Sequence, residues 1–171
     1  MTDHTDAREL TLFATNDGDL YRARIQPIIQ NLARKVAAGT YDADKALTLW
    51  RYAADDAAQR YTREHGTPGP HGSYGSFDTA TRQTVATMLA ESYADDLAEQ
   101  ARNLRLAKAW TVSAIKAAHG GTFFDRSHMK TNGETLKSFA VEVRHGVVNL
   151  IRTRDGKAWV FTPECGSIRS V

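Results

Sequence analysis

The chain has 171 residues, and 42% of them are hydrophobic, enough for a core and too many for a wholly disordered protein. Its 22 basic and 20 acidic residues leave a formal net charge of +2, which argues against a general nucleic-acid or membrane binder, since such binders need many uncompensated cations. One cysteine, Cys165, excludes an internal disulfide, and neither an apolar leader in Met1–Glu9 nor a run of about 18 apolar residues occurs, so a soluble cytoplasmic protein is expected.

Residues 1–18 read as polar with one apolar patch, Leu10, Leu12 and Phe13, closed by an Asn16-Asp17-Gly18 turn. Asp17 or Asp19 is placed to cap a helix whose stripe is Ile25, Ile28, Ile29, Leu32 and Val36. Pro27 requires that this helix start near Gln26 or kink there, and Gly39 ends it. Asp42 or Asp44 opens the next helix, with Leu47, Trp50, Ala53, Ala54, Ala57 and Tyr61 on one face; the short connection makes an antiparallel hairpin. Residues 66–76 hold Pro68, Pro70 and four glycines and read as a mobile loop. After Asp78 or Thr79, Val85, Met88, Leu89, Tyr93 and Leu97 define a third helix. The period runs on towards Ala118, with a break expected between Gln100 and Lys108 because one uninterrupted helix would be unusually long.

At Gly120-Gly121 the pattern changes. A short helix is expected between Asp125 and Leu136, followed by strands at Phe139–Arg144, Val147–Thr153 and Ala158–Thr162. Two-residue turns at His145-Gly146 and Asp155-Gly156 would pair Val143 with Val148, Val141 with Leu150, Leu150 with Phe161 and Arg152 with Trp159. One face then carries Phe139, Val141, Val143, Val148, Leu150, Trp159 and Phe161 together with Arg152, and needs a cover from the short helix and the helical front. The expected fold is α+β: an antiparallel helical N-terminal bundle over residues 1–119, then a short helix and a three-stranded antiparallel β-meander over 120–171, packed as one cooperative unit.

The sequence offers no catalytic set. No histidine pairs with another His or Cys at metal-ligand spacing, Cys165 has no partner base in view, and no Gly-rich loop sits between a strand and a helix. Asp55-Asp56 and Asp95-Asp96 are adjacent in helices and diverge, so each pair reads as a solvated face. A helix-turn-helix over 82–106 lacks its turn glycine. No catalytic residue, cofactor or metal ligand is therefore expected. Charge is uneven: residues 1–119 hold 14 basic and 15 acidic side chains, residues 120–171 hold 8 and 5. Two candidate surfaces follow. One is the polar face of the third helix, with Glu91, Asp95, Asp96, Glu99, Arg102 and Arg105, where blocks of both signs suit a protein partner. The other is the basic hairpin, with Arg144, Arg152, Arg154 and Lys157 near Trp159 and Phe161, where cations interleaved with aromatics suit nucleic acid. The alternative for that cluster is a buried Trp159 with Arg152 lying along it.

The stretch L-F-A-T-N-D-G-D-L-Y-R-A-R-I-Q-P-I-I, with G-T-Y-D-A-D-K-A and R-Y-A-A-D-D-A-A-Q-R-Y after it (Leu12–Tyr61), resembles small helical proteins of uncharacterised function encoded by phages and other mobile elements. Thr122–Val141 resembles a second short mobile-element family; Thr131 and Asn132 stand where that family has aromatics, and Glu134 where it has Asp. The resemblance implies a mobile-element accessory protein acting in the cytoplasm of a bacterial host, and supplies no catalytic residues. The expected function is non-enzymatic binding that modulates or inhibits a host protein or nucleoprotein complex, as anti-defence proteins of the anti-CRISPR kind do. The alternative is a nucleic-acid-binding accessory factor for replication or transcription that uses the basic hairpin.

Overall fold

In the computed structural model, which describes residues 4–65, 77–119, 123 and 138–171, the chain opens with helix α1 (His4–Asn16). The segment read as polar is helical because Ala7, Leu10 and Ala14 fall on one stripe and are buried. Two alanines in that stripe hide it from a reading that looks for large apolar residues. The expected loop at 66–76, the change of pattern at Gly120-Gly121 and the short helix within 125–136 lie outside the described residues.

Asp17 caps the next run: its Oδ1 accepts the N–H groups of Asp19 at 2.9 Å and Leu20 at 3.0 Å. These two bonds belong to α2 (Gly18–Leu20), which continues through a π turn at Tyr21–Ile25 into α3 (Gln26–Ala38). Pro27 lacks an N–H to give to Ala23, and the wider π turn ahead of it lets the helix absorb the ring. Ile25, Ile28, Ile29 and Leu32 are buried as their spacing predicts, and Gly39 closes α3 in the left-handed conformation. Asp42 caps α4 (Ala43–His65) through the N–H groups of Asp44 and Lys45, both at 3.1 Å. Helix α4 buries Trp50, Ala53, Ala54, Ala57 and Tyr61. Asp78 caps α5 (Thr79–Ser92), accepting from the Thr81 N–H at 2.6 Å.

The long helix is broken twice, and neither break falls in the window expected for one, between Gln100 and Lys108. Helix α6 (Ala94–Ala109) starts after Tyr93, and α7 (Val112–His119) after Trp110-Thr111. Tyr93 leaves helical geometry at φ −109°, ψ 13°, with its ring stacked on Trp50 at 6.0 Å and 4°. Thr111 Oγ1 accepts the Ala114 N–H at 3.2 Å, capping α7, while Trp110 packs on Phe161 at 4.9 Å. Tertiary partners for two aromatic rings thus set the breaks, and no glycine or proline marks them.

The strands are β1 (Phe139–Arg144), β2 (Val147–Arg152), β3 (Ala158–Thr162) and β4 (Ser167–Ser170), in the order β1-β2-β3-β4, all antiparallel. The expected meander had three strands; β4 is added because the turn through Gly166 returns Ile168 opposite Phe161. The first hairpin has the expected register, Val143 against Val148 and Val141 against Leu150. The second is shifted by two: Leu150 faces Trp159 and Val148 faces Phe161. Its loop is longer than two residues because Asp155 organises it, bonding Arg152 Nε and the Lys157 N–H at 2.9 and 3.2 Å. A shift of two leaves every side chain on its expected face.

By its contacts the chain divides into two units, Met1–Ala98 and Glu99–Val171, with the division inside α6. The first unit has a core of α1, α3, α4 and α5 side chains. In the second, Phe139, Val148, Leu150, Trp159 and Phe161 are buried with Ile115 of α7, and Leu106, Trp110 and Val112 pack against them. The described cover of the sheet is therefore α7 and the end of α6. Among the described residues, no helix is long and apolar enough to cross a membrane.

Candidate partner-binding surfaces

Glu91 lies in the last turn of α5, and Asp95 and Asp96 in the first turn of α6; all three are exposed and belong to the first unit. The two aspartates also complement the positive end of the α6 dipole, so they stabilise the helix whether or not a partner meets them. Glu99, Arg102 and Arg105 lie in the second unit, where the β1–β2 turn occupies part of their helix face. His145 Nδ1 sits 2.7 Å from Glu99 Oε1, and the Gly146 N–H donates to Asn103 Oδ1 at 2.8 Å. The turn is type I′, with His145 at φ 50° and Gly146 at φ 73°. A Cβ on Gly146 would stand 3.0 Å from Arg102 Cζ. The face read as free for partners is in this half committed to a turn of its own unit. Asn103, the residue that binds the turn, was missed: an Asn in mid-helix carries no signal until the turn is placed beside it.

The basic hairpin is not brought together as one stripe. Arg144 points from the face opposite Arg152 in the strand alternation and pairs with Glu142 at 2.5 Å. Arg152, its side chain only 13% exposed, pairs with Asp155 at 2.5 Å and lies over the Trp159 ring at 5.4 Å. Lys157 lies over the same ring at 5.6 Å, and Arg154 approaches Asp155 at 4.0 Å. The hydrogen bond from Arg152 holds the Asp155 carboxyl down at about 2. Trp159 itself is buried, in edge contact with Phe123 at 5.3 Å and Phe139 at 6.0 Å, so its ring is core and not a base-stacking platform.

Cys165 is exposed in the β3–β4 turn, and a hydrogen bond with Ser167, whose Oγ is 3.1 Å away, draws its thiol below the ordinary value. Gly166 ties this turn to α7: its carbonyl lies 2.8 Å from His119 Nδ1, and a Cβ there would stand 2.8 Å from the Ala118 carbonyl oxygen. Among the described residues, no group of three or more His, Cys, Asp or Glu side chains is placed to hold a metal ion. No family model, curated protein or solved structure matches the chain.

Proposed function

We propose that this protein works by binding another protein, as a phage or mobile-element accessory factor that modulates or inhibits a host protein or nucleoprotein complex. The observation that carries this reading is the state of the hairpin cations: Arg144 and Arg152 each carry a carboxylate partner of their own hairpin. Nucleic-acid affinity comes from cations that replace the counterions of phosphates, and internally neutralised arginines contribute little to it. A mixed surface with exposed acids on α5 and α6 suits a protein partner, for which matched charge sets specificity and on-rate. The resemblance of Leu12–Tyr61 to phage-encoded proteins supplies the biological setting.

The test is affinity capture from a bacterial host lysate, with and without nuclease, followed by charge reversal. Asp95→Lys with Asp96→Lys is the informative variant, because it leaves the Glu99–His145 contact in place. The reading expects nuclease-resistant capture that this variant loses. A second reading rests on Arg154, whose side chain is 65% exposed, in the same loop as the exposed Lys157. It expects a labelled duplex or single strand to bind and to be released by Arg154→Glu with Lys157→Glu.

A further inference from the structure

From Leu20 to Tyr41 the chain carries four cations, Arg22, Arg24, Arg34 and Lys35, and no acid. This is the π turn and α3, and its outer side borders an apolar groove against α4. The groove has a volume of about 250 Å³ and is walled by Ala23, Pro27 and Ile28 on one side and by Leu49 and Tyr52 on the other. Tyr52 is 61% exposed. Large aromatics left open at a groove are the usual anchors of protein interfaces.

Arg24 lines the groove at one end, and Arg34 and Lys35 follow Asn31, the last α3 residue in its wall, by one helical turn. At about 1.5 Å of rise per residue, roughly 15 Å separates Arg24 from Arg34 along the helix. Arg24 is held by Asp56, as Arg144 and Arg152 are by their own carboxylates, so the charge offered to a partner is that of Lys35 and the exposed Arg34.

We propose that this groove docks an acidic amphipathic helix of the partner protein. The apolar side of that helix would lie on Tyr52, Leu49 and Pro27, in the helix-in-groove mode. Its acidic residues would meet Arg34 and Lys35, one helical turn past Asn31. The inference rests on the protein-binding reading above and names the chemistry of the partner.

The test uses the full chain as bait for a display library of random peptides of about 16 residues, long enough to span the groove and reach Arg34. Enrichment of peptides with paired apolar residues at helical spacing, flanked by Asp or Glu, supports the proposal. Such peptides should bind Tyr52→Glu at least tenfold more weakly, and Arg34→Glu with Lys35→Glu should invert the charge preference. Unchanged thermal unfolding of both variants shows that the fold is intact. Enrichment of basic or uncharged peptides, no enrichment, or undiminished binding to Tyr52→Glu overturns it. So does concentration-dependent dimerisation lost in Tyr52→Glu, which would assign the groove to a second copy, or duplex DNA binding lost in the charge-reversed variant. A host protein captured equally by Tyr52→Glu and by the unmodified chain overturns the groove assignment alone and leaves the binding reading standing.

Discussion

Asn103 on α6 accepts the backbone N–H of Gly146, at the tip of the β1–β2 hairpin, at 2.8 Å. This bond joins a helix to a turn that the chain reaches more than forty residues later. It replaces water at a group that the hairpin itself leaves unpaired. Asn103→Ala should lower stability by about 1 kcal/mol, the usual net value of one such bond. Hydrogen exchange at the Gly146 amide should accelerate before that of the strands does. An unchanged exchange rate there would show that the bond contributes nothing in solution. Gly146→Ala should cost more, since it adds left-handed strain to a close approach by the Arg102 guanidinium.

The β2–β3 loop depends on an ionised Asp155. The folded-state value of about 2 lies below the ordinary carboxyl value, so the stabilisation is fully present above the unfolded value and is lost as pH falls through the folded one. Stability should therefore decline between about pH 5 and about pH 2, in part through this group. In Asp155→Asn, that part of the acid sensitivity should vanish, and the two proteins should converge near pH 2. Denaturant unfolding at a series of pH values measures it. A constant difference between the two proteins across the range would dismiss the ion pair as the cause.

These two contacts show what was and was not legible in the chain. The His145-Gly146 turn could be read because its residues alone dictate positive φ. The faces of the sheet could be read because alternation survives any even slip, and so the two-residue register shift at Asp155 did not disturb them. The shift was invisible because it depends on a side chain closing its own loop. The breaks at Tyr93 and Trp110 were invisible for a related reason: both residues propagate helix well enough, and only their distant ring partners, Trp50 and Phe161, pull them out of it. The α6 surface was legible as charge pattern alone. That Glu99 and Asn103 meet a hairpin turn is a tertiary fact with no local trace.

Tyr61 gives an alkaline counterpart to Asp155. Its hydroxyl donates to Glu9 on α1, and that bond, with burial and the Glu9 charge, pushes the phenol up to about 12. A folded value above the unfolded one means that the contribution is complete below the unfolded value, near 10, and is lost as pH rises through about 12. Tyr61→Phe should be less stable than the unmodified protein at neutral pH, and the difference should shrink between about pH 10 and about pH 12. Absorbance titration of the phenolates checks the same point directly: Tyr93, raised by burial, and Tyr61 should both ionise late, and the step near 12 should be missing from Tyr61→Phe. Its persistence in the variant would assign the shift to another tyrosine.

The break between α5 and α6 supports the last prediction. Backbone bonds run across it, from Tyr93 N–H to Leu89 at 3.1 Å and from Leu97 N–H to Tyr93 at 3.0 Å, so the helix is deflected and not cut. What holds the deflection is the Tyr93 ring, parallel to Trp50 at 6.0 Å and tilted towards Tyr21 at 6.1 Å. Tyr93→Ala removes that ring and installs the strongest helix former at the same position. The variant should lose about 2–4 kcal/mol through the emptied space beside Trp50. Its helix content should nevertheless hold or rise, because nothing then opposes continuous helix from α5 into α6. The indole N–H resonance of Trp50 should shift, while those of Trp110 and Trp159, which pack in the second unit, should stay in place. Tyr93→Phe keeps the ring and should restore both the stability and the Trp50 resonance. Lower helix content in Tyr93→Ala, or full stability without the ring, would mean that the backbone at Tyr93 turns for a reason other than its stacking on Trp50.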